Sequence, residues 1–391
     1  MSNNVPSKVL HICLSRGWGG LEMYPARIIP ELARKGWQAH GLALENSRIA
    51  ESFRDAGIEP LTVSSKGRAV WGVWRILDYL KRHDIQVVHC HKSSDLQVGA
   101  LLKQLHPTLR LFFTDHMGVT RPKKDPYHRW SYGKLTRLFS ISEATRQRNL
   151  NAFPLPPERI QRLYLGIDVA EYAPKLDRAG QATLRAELGV PEGAVAIGLP
   201  GRLTPGKGQD TWLEALALLR KRHPELTFHG VIIGGLLASE GSDEAYVARL
   251  KGQAASLLSE RRLTFTGYRH DLPRLLEVLD LVCVPSTNEA FGLTVIEAMA
   301  AGKAVIGADS GAIPELLDET CGRLAPPDDA GAWADIMALL VSDATLRQTL
   351  GDAAQRMARQ RFSVVAHITA LIEAYAGSSK AHPDSSKESV E

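Results

Sequence analysis

Pro285-Ser-Thr-Asn-Glu289-Ala-Phe-Gly-Leu-Thr-Val-Ile-Glu297-Ala-Met-Ala-Ala-Gly302 is the stretch that most directly indicates both a fold and a ligand site. It follows Leu281–Val284, a short apolar run that is typical of a buried strand. Gly292 stands before apolar residues at helical spacing, so the segment predicts a strand, a loop and then a helix. The helix N-terminus then presents backbone amides to a ligand and favours negative charge there.

Two carboxylates frame this predicted helix start. Glu289 precedes the helix and Glu297 lies about one turn inside it. Ionised oxygens accept short, strong hydrogen bonds, which suits them to the hydroxyls of a sugar. A purely structural interpretation makes Glu289 a cap and Glu297 a surface residue. We reject that interpretation because apolar residues flank Glu297, and a carboxylate in such surroundings needs a partner.

Outward from this segment, short apolar runs alternate with amphipathic stretches along almost the whole chain. Such alternation predicts an α/β fold with parallel sheets covered on both faces. The series starts twice, on either side of a turn-rich section at 168–193, which predicts two Rossmann-like domains. The predicted strands are 8–14, 37–44, 85–90, 109–114, 137–141, 195–199, 227–233, 263–265, 281–284 and 304–306. The predicted helices include 20–35, 47–56, 69–83, 209–221 and 362–376.

These patterns divide the chain into three parts. Residues 1–170 form the first domain and residues 190–361 the second, and the helix at 362–376 follows the second. The tail 377–391 is rich in Ser, Lys and Glu with almost no apolar residues, which predicts disorder.

Glycine-rich turns follow the first strand of each predicted domain. Ser15-Arg-Gly-Trp-Gly19-Gly20 leads into a helix, and Gly201-Arg202-Leu-Thr-Pro-Gly-Lys207-Gly208 does the same in the second domain. Glycines there let backbone amides approach an anion. The planar fork of Arg202 and the mobile charge of Lys207 suit two linked phosphates. Neither loop matches the dinucleotide fingerprint or the nucleoside-triphosphatase loop, so a dehydrogenase and a P-loop enzyme are disfavoured.

Composition excludes several classes of protein. The 391 residues are 44% hydrophobic and 23% charged, which is ordinary for a globular chain. No apolar stretch is long enough to span a bilayer, and the polar start is not a secretory signal. The four cysteines form no C-x-x-C pair and sit in or beside apolar segments, as buried, reduced thiols do. We therefore expect a cytoplasmic protein.

Several motifs together resemble those of retaining glycosyltransferases of the GT-B fold, in particular glycosyltransferase family 4. Glu289 and Glu297 reproduce the E-x7-E motif of that family. The resemblance covers about residues 8–376 and extends to further short motifs in the same order. These are Gly19-Gly20, Thr114-Asp-His116, Ser140-Ile-Ser142, Gly166-Ile-Asp168, Gly201-Arg202, Lys207-Gly208, Phe265-Thr-Gly267, Pro285-Ser286 and Gly311-Ala-Ile-Pro314-Glu315. Two departures are Leu165, where Asn is frequent, and Leu21, where Ala is commoner.

The resemblance implies a fold and a set of roles. It implies two Rossmann-like domains facing across a cleft, with the C-terminal helix crossing back to the first domain. Arg202 and Lys207 hold the donor diphosphate, with Gly19 and Gly20 approaching from the other domain. Glu297 holds the ribose, and Glu289 with the amides of Phe291, Gly292 and Leu293 holds the donor sugar. His116 sits beside the reacting sugar, and Tyr268 and Arg269 lie near the base.

The resemblance also implies a reaction. A nucleotide diphosphate sugar, most often a uridine diphosphate sugar, transfers its sugar with retention of configuration to a glycan or glycolipid acceptor. Departure of the diphosphate builds negative charge, which Arg202, Lys207 and helix-end amides stabilise. No D-x-D-like pair is present, so we expect no metal or other cofactor. For His116 we favour positioning of a sugar hydroxyl over action as a general base.

Two other functions remain open. A GT-B-like nucleotide-sugar 2-epimerase would release its product without an acceptor, and Gly166-Ile-Asp168 beside the glutamate motif argues for transfer. A non-catalytic nucleotide-sugar-binding subunit is the other alternative. The presence of both glutamates, Arg202 and Lys207 argues against it.

Charge is distributed unevenly and bears on the acceptor. Residues 1–168 carry 25 Lys and Arg against 14 Asp and Glu, whereas the remainder is acidic. Within 121–137, six cations interleave with Tyr127, Trp130 and Tyr132, a mixture that suits anionic lipid head groups. We expect peripheral docking at the inner face of the plasma membrane and an acceptor of the lipopolysaccharide core or another envelope glycan. Nothing else resembles a nucleic-acid-binding module.

The tract His89-Cys90-His91 resembles a metal-binding sequence, but the alternation of side chains along a strand argues against a metal site. On a strand, His89 and His91 share one face and Cys90 points to the other. Three ligands from this tract do not converge, so we expect structural or acceptor-side roles.

Overall fold

The computed structural model describes residues 7–119 and 121–377, which divide into two compact units. The first unit runs to Ile141 and includes Thr145–Leu163 and the chain from Val365. The second comprises Ser142–Ala144 and Tyr164–Val364. The tail predicted to be disordered lies, apart from Gly377, outside the described residues.

The first unit is built on a seven-stranded parallel sheet with strand order β3-β2-β1-β4-β5-β6-β7. Its strands are β1 (Lys8–Cys13), β2 (Gln38–Leu44), β3 (Leu61–Val63), β4 (Val87–Cys90), β5 (Arg110–Asp115), β6 (Arg137–Ser140) and β7 (Ile160–Arg162). Its helices are α1 (Gly20–Arg34), α2 (Arg48–Asp55), α3 (Lys66–Trp71), α4 (Val73–Arg82), α5 (Leu96–Leu105), α6 (Pro126–Gly133) and α7 (Glu143–Ala152). The central strands are buried on both faces, as in a parallel sheet that helices cover on both sides.

The second unit has a six-stranded parallel sheet with strand order β10-β9-β8-β11-β12-β13. Its strands are β8 (Val195–Pro200), β9 (Phe228–Ile233), β10 (Leu263–Phe265), β11 (Leu281–Val284), β12 (Ala304–Ala308) and β13 (Arg323–Ala325). Its helices are α8 (Arg178–Glu187), α9 (Gln209–Arg222), α10 (Glu244–Gln253), α11 (Ala255–Ser259), α12 (Leu272–Val278), α13 (Leu293–Ala300), α14 (Ala330–Ser342) and α15 (Ala344–Arg361). The two parallel sheets confirm the predicted α/β class.

The last helix, α16 (Val364–Ala376), packs into the core of the first unit. Tyr375 is fully buried, accepts a hydrogen bond from Arg110 through its carbonyl and shares one with His89 Nδ1 at 2.5 Å through its hydroxyl. His367 Nε2 lies 2.7 Å from the hydroxyl of Tyr24 on α1. The helix α16 therefore supplies part of the interior of the first unit.

Two local predictions were wrong. The helix predicted at 69–83 is two helices, because Gly72 ends α3 and lies in a non-helical conformation before α4. The turn-rich section predicted at 168–193 contains α8, which Asp177 caps by accepting a hydrogen bond from Gly180 N at 2.8 Å. Its apolar positions are few, and Leu184 is its one buried residue, so the helical period was weak in the sequence.

The four cysteines are free and buried, in agreement with the sequence. Across the part of the chain that the structure describes, no helix combines the length and apolar character needed to cross a bilayer.

Candidate active site

Three loops of the second unit meet beyond the carboxyl ends of β8, β11 and β12, which are neighbours in the sheet. The backbone of Thr287 donates to the carbonyl of Gly206 at 2.9 Å. Ala312 N donates to the carbonyl of Glu289, also at 2.9 Å. Backbone hydrogen bonds thus connect the three loops. The carboxyl edge of a parallel sheet is where α/β proteins commonly bind ligands.

The first of these loops depends on Gly208, which precedes α9. Its φ is 72°, in the left-handed region. A Cβ at this position would lie 2.2 Å from the carbonyl oxygen of Pro285. Glycine is therefore required both by the backbone conformation and by the close approach of the neighbouring loop.

A pocket of about 240 Å³ lies between these loops. Four residues of the predicted site line it, namely Arg202, Lys207, Glu289 and Gly292. The other lining residues had no predicted role. These are Leu199, Pro200, Gly201, Gln209, Val284, Pro285, Ser286 and Thr294.

Two charged groups of the pocket form an ion pair. Lys207 Nζ lies 2.8 Å from Glu289 Oε2, and both side chains are about one quarter exposed. The side chain of Arg202 is exposed, while its carbonyl accepts a hydrogen bond from Gln209 at 2.9 Å. An anion entering the pocket therefore meets a cation already oriented by a carboxylate.

The pocket also contains the start of α13. Gly292 precedes this helix with a φ of 100°, and Leu293 is its first residue. Helix-start amides and the helix dipole add partial positive charge beside Lys207. The local geometry matches the strand, loop and helix predicted from the sequence.

Other predicted donor-site residues lie nearby without lining the pocket. Phe291 is buried, with its ring 6.3 Å from that of Phe362, so its side chain belongs to the core. Glu297 is half-buried on α13 and has an interaction partner. A partner was expected because apolar residues flank this carboxylate. The side chains of Phe291, Leu293 and Glu297 are absent from the pocket lining.

Tyr268 and Arg269 follow β10 and also lie outside the pocket lining. Arg269 donates to both carboxylate oxygens of Asp271 at 2.7 and 2.8 Å and to Glu187 at 2.6 Å. The hydrogen bonds with Asp271 and then Glu187 raise the pKa of the guanidinium. Arg269 is thus held by two acids of its own unit, whereas Tyr268 is half exposed and contacts His270.

The first unit holds the remaining predicted residues. His116 directly follows β5 and is 8% exposed, with its ring 5.0 Å from that of Tyr24. Burial, and then the charge of His367, lowers the pKa of His116 to about 3. His116 is therefore a neutral imidazole whose buried Nε2 has no partner among the described residues.

Gly19 and Gly20 lie at the start of α1 in the same unit. Gly19 precedes the helix in an extended conformation and Gly20 is its first residue. The loop is supported by Glu22, which accepts hydrogen bonds from Ser15 Oγ at 3.0 Å and from Lys92 Nζ at 3.2 Å.

The prediction that His89, Cys90 and His91 do not converge as three ligands is confirmed, but a histidine from another strand joins the two histidines of the tract. Cys90 does point away, into the apolar core. The third group is His11 on β1, which stands beside His89 in the strand register. One nitrogen from each of His11, His89 and His91 lies within 4.8 Å of the others. Together with His116 we call these four residues the histidine cluster.

The histidine cluster is internally hydrogen-bonded and neutral. His11 Nδ1 lies 3.0 Å from His91 Nε2, and His89 Nε2 lies 2.8 Å from Thr114 Oγ1. Burial lowers the pKa of His11 to about 3 and the pKa of both His89 and His91 well below the ordinary value. These contacts are the structural role that the sequence analysis assigned to His89 and His91.

A second pocket, of about 300 Å³, lies at the carboxyl edge of the first unit's sheet. Lys66 lies in it and donates to Ser94 Oγ at 2.8 Å. The lining residues follow β1, β3, β4 and β5, and they are Leu14, Lys66, Val70, Ser93, Ser94, Gln97, Val98, Tyr127 and His128. One cation and several hydroxyl or amide groups make this pocket suitable for a polar or anionic ligand.

Sequence comparison decides the family. The model for glycosyl transferases group 1 matches residues 180–357, and that for glycosyltransferase family 4 matches residues 18–171. The D-inositol 3-phosphate glycosyltransferase of Corynebacterium efficiens is 35% identical over 79% of this chain and 76% of its own length. The chain belongs to glycosyltransferase family 4. The enzyme of the same description from Corynebacterium glutamicum is 34% identical over 87% of this chain and 88% of its own length.

Solved structures agree with this family 4 assignment. A glycosyltransferase from Rickettsia africae superposes with a TM-score of 0.83 over 96% of this chain and 100% of its own, at 19% identity. Anabaena HepE in complex with UDP has a TM-score of 0.78, is 25% identical and covers 95% of this chain and 100% of its own. The chain is thus a glycosyltransferase of GT-B type.

Proposed function

We propose that this glycosyltransferase transfers a hexose from UDP-sugar to a phosphorylated polyol, with retention of configuration and without a metal ion. The observation that carries the proposal is the pocket in which Arg202, Lys207 and Glu289 meet the start of α13. The proposal keeps the cytoplasmic location expected from the sequence.

The donor proposal is supported by charge and by similarity. Two cations and a helix N-terminus at one pocket match a diphosphate, and Glu289 supplies an acceptor for sugar hydroxyls. Anabaena HepE, which is 25% identical, was solved with UDP and also with UDP and glucose. Uridine is therefore the base that we propose.

The same groups suit the chemistry of departure. Breaking the bond between the anomeric carbon and the diphosphate oxygen leaves negative charge on the diphosphate. Lys207, Arg202 and the α13 amides stabilise that charge, and groups fixed before the reaction stabilise it most effectively. In this proposal, these protein groups stabilise the charge on the departing diphosphate, as a metal ion does in many enzymes.

The state of His116 supports a positioning role. An imidazole whose pKa is about 3 takes up a proton poorly near neutral pH, which makes it a weak general base. Its unpartnered Nε2 can hydrogen-bond a sugar hydroxyl instead. We therefore retain hydroxyl positioning as the proposed role of His116.

The acceptor proposal follows the sequence relatives. Both Corynebacterium relatives are described as D-inositol 3-phosphate glycosyltransferases, which favours a phosphorylated cyclitol over the lipopolysaccharide-core acceptor expected from the sequence. The first unit's pocket contains Lys66 and the hydroxyl of Ser94, a cation and a donor that suit a phosphate.

Calorimetry with UDP tests the donor site. Lys207→Gln weakens UDP binding by about tenfold to a hundredfold, because it removes a charge-assisted contact to the diphosphate. Lys221→Gln, on the exposed face of α9, is the matched control and leaves binding unchanged. Equal UDP affinity for wild type and Lys207→Gln contradicts the assigned site.

Product analysis tests the reaction and separates it from the alternatives. Purified enzyme is incubated with UDP-glucose or UDP-N-acetylglucosamine, with and without inositol 3-phosphate, in the presence of EDTA. Nuclear magnetic resonance then shows the anomeric configuration of the product. A new α-linked product formed only with acceptor supports the proposal. Free sugar or an epimer formed without acceptor supports the 2-epimerase, and donor binding without turnover supports the binding subunit.

A further inference from the structure

Two tryptophans on the first unit are unusually exposed. Trp71, the last residue of α3, is 88% exposed, and Trp74, in the first turn of α4, is 64% exposed. Trp37 in the same unit, by contrast, is 6% exposed and packs against Tyr375. Two large aromatic side chains left in water three residues apart indicate a surface that meets a partner.

The inward side of these helices is already occupied. Val73, Ile76, Leu77 and Leu80 of α4 and Ala69 of α3 are buried in the hydrophobic core of the unit. The outward side of α4 carries residues at helical spacing, and they are Trp74, Arg75, Asp78, Lys81 and Arg82. The exposed tryptophans therefore belong to an outer face and not to an unfinished core.

The outer face is strongly basic. Residues 66–82 contain five Lys or Arg and a single acid, Asp78, which is paired with Arg82 at 2.9 Å. Arg68 and Arg75 are exposed on either side of the two tryptophans. We name the surface formed by Arg68, Trp71, Trp74 and Arg75 the tryptophan face.

We propose that the tryptophan face docks on the surface of an anionic lipid bilayer. Indole rings have an apolar body and a polar N–H group, so they settle at the boundary between head groups and acyl chains. Cations beside them are attracted to anionic lipids, at about 1 kcal/mol for each Lys or Arg near the surface. Aromatic and basic side chains on one face match a bilayer in both respects.

Residues 121–137, where membrane contact was expected from the sequence, present a smaller free aromatic surface than the tryptophan face. Tyr132 of that segment is 1% exposed, and Trp130 donates its Nε1 hydrogen to Gln104 at 2.9 Å. Tyr127 is 43% exposed but lines the first unit's pocket. Two of the three aromatics in that segment are therefore engaged within the protein.

Docking through this face has a consequence for the acceptor. Lys66 and Val70 of α3 line the pocket of the first unit, and Trp71 is the next residue along. A bilayer bound at the tryptophan face lies beside that pocket. The surface can then present an acceptor carrying an anionic head group to Lys66. This consequence depends on the proposed acceptor role of the pocket, whereas the docking itself does not.

Vesicle binding tests the proposal on the full-length protein. Co-sedimentation is measured with phosphatidylcholine vesicles with and without phosphatidylglycerol, at low and high salt. Binding is expected only with phosphatidylglycerol and declines with salt. Each of Trp71→Ser and Trp74→Ser lowers the partition coefficient about tenfold. Arg68→Gln with Arg75→Gln lowers it and weakens the salt dependence.

Matched controls keep the result specific. Arg356→Gln with Arg359→Gln removes two exposed cations of α15 and leaves vesicle binding unchanged. UDP affinity, measured by calorimetry, remains at the wild-type value in the tryptophan variants. A wild-type circular dichroism spectrum and melting temperature show that the first unit of these variants is folded, and normal UDP binding keeps a failure of docking distinguishable from a failure of the donor proposal.

Three results overturn the proposal. One is absence of binding to phosphatidylglycerol vesicles at low salt. Another is equal binding by wild type and the double tryptophan variant. The third is dimerisation, detected by light scattering, that the tryptophan variants abolish, since the face then contacts a second copy of the chain. Quenching of tryptophan fluorescence by brominated lipids in wild type, lost in Trp71→Ser with Trp74→Ser, supports docking.

Discussion

Acidification is expected to unfold this protein through the histidine cluster. In the folded chain, burial holds the pKa of His11 and His116 at about 3 and the pKa of His89 and His91 well below 6.5. The unfolded chain has ordinary histidines, so below pH 6.5 it binds up to four protons that the folded chain does not. The folded state therefore loses stability as pH falls.

Buried carboxyls act in the opposite direction. Burial raises the pKa of Asp95 to about 7, so between pH 7 and 3.8 the folded chain holds one proton that the unfolded chain has released. Burial also raises the pKa of Asp115. When the four histidines of the cluster are counted against Asp95 alone, unfolding takes up a net of about three protons, which corresponds to about 4 kcal/mol per pH unit. His40, whose pKa burial lowers to about 4, adds to this proton uptake, and Asp115 subtracts from it.

The expected loss is large compared with total stability. Because the histidines are half protonated in the unfolded chain at pH 6.5, the slope develops gradually, and about 3 kcal/mol is lost between pH 6.5 and 5.5. Domains of ordinary stability have about 5–15 kcal/mol in total. Urea denaturation across this pH range, followed by tryptophan fluorescence, measures the free energy of unfolding directly.

A pair of variants locates the effect. His11→Gln removes one titrating group and lowers the loss between pH 6.5 and 5.5 by about 1 kcal/mol, whatever it does to absolute stability. Gln360→Ala, at an exposed position of α15 in the second unit, removes no titrating group and leaves the slope unchanged. A free energy of unfolding that is constant, or rises, as the pH of the wild type falls from 6.5 to 5.5 refutes the reasoning.

Three further predictions concern the loops, the core and the reaction. Gly208→Ala destabilises the protein by about 3 kcal/mol, seen as a lowered melting temperature, because the new Cβ meets the carbonyl of Pro285 in a left-handed conformation. Tyr24→Phe costs about 1 kcal/mol in urea denaturation by removing the buried hydrogen bond to His367; an unchanged midpoint contradicts this. EDTA leaves sugar transfer, assayed by UDP release, at its original rate, and restoration by Mg²⁺ of an activity lost to EDTA contradicts metal independence.

Local patterns carried most of the fold. Strands such as β8 and β11 are continuous apolar runs that end in glycine or proline, and α13 starts at a glycine after such a run. These signals depend on neighbours in sequence, so they survive without tertiary information. The same holds for Arg202, Lys207 and Glu289, which each follow the end of a strand and meet because parallel strands end at one edge.

What the sequence did not predict depends on distant partners. His11 joins the histidine cluster through the register of β1 on β4, which no single strand encodes. Arg269 donates a hydrogen bond to Glu187, which is 82 residues away in the sequence. The residues around Arg269 therefore do not indicate this ion pair. The break at Gly72 was readable, since glycine weakens a helix interior, but the apolar period continued across it and favoured one helix.

The docking of α16 into the first unit sets an order of events during synthesis. Tyr375 and His367 reach His89 and Tyr24 from the far end of the chain. A nascent first unit leaving the ribosome has its sheet but lacks these two partners for its polar interior. The first unit can therefore complete its interior only after the entire second unit has been translated. In a chain truncated before residue 365, His89 and Tyr24 lack the partners that α16 supplies.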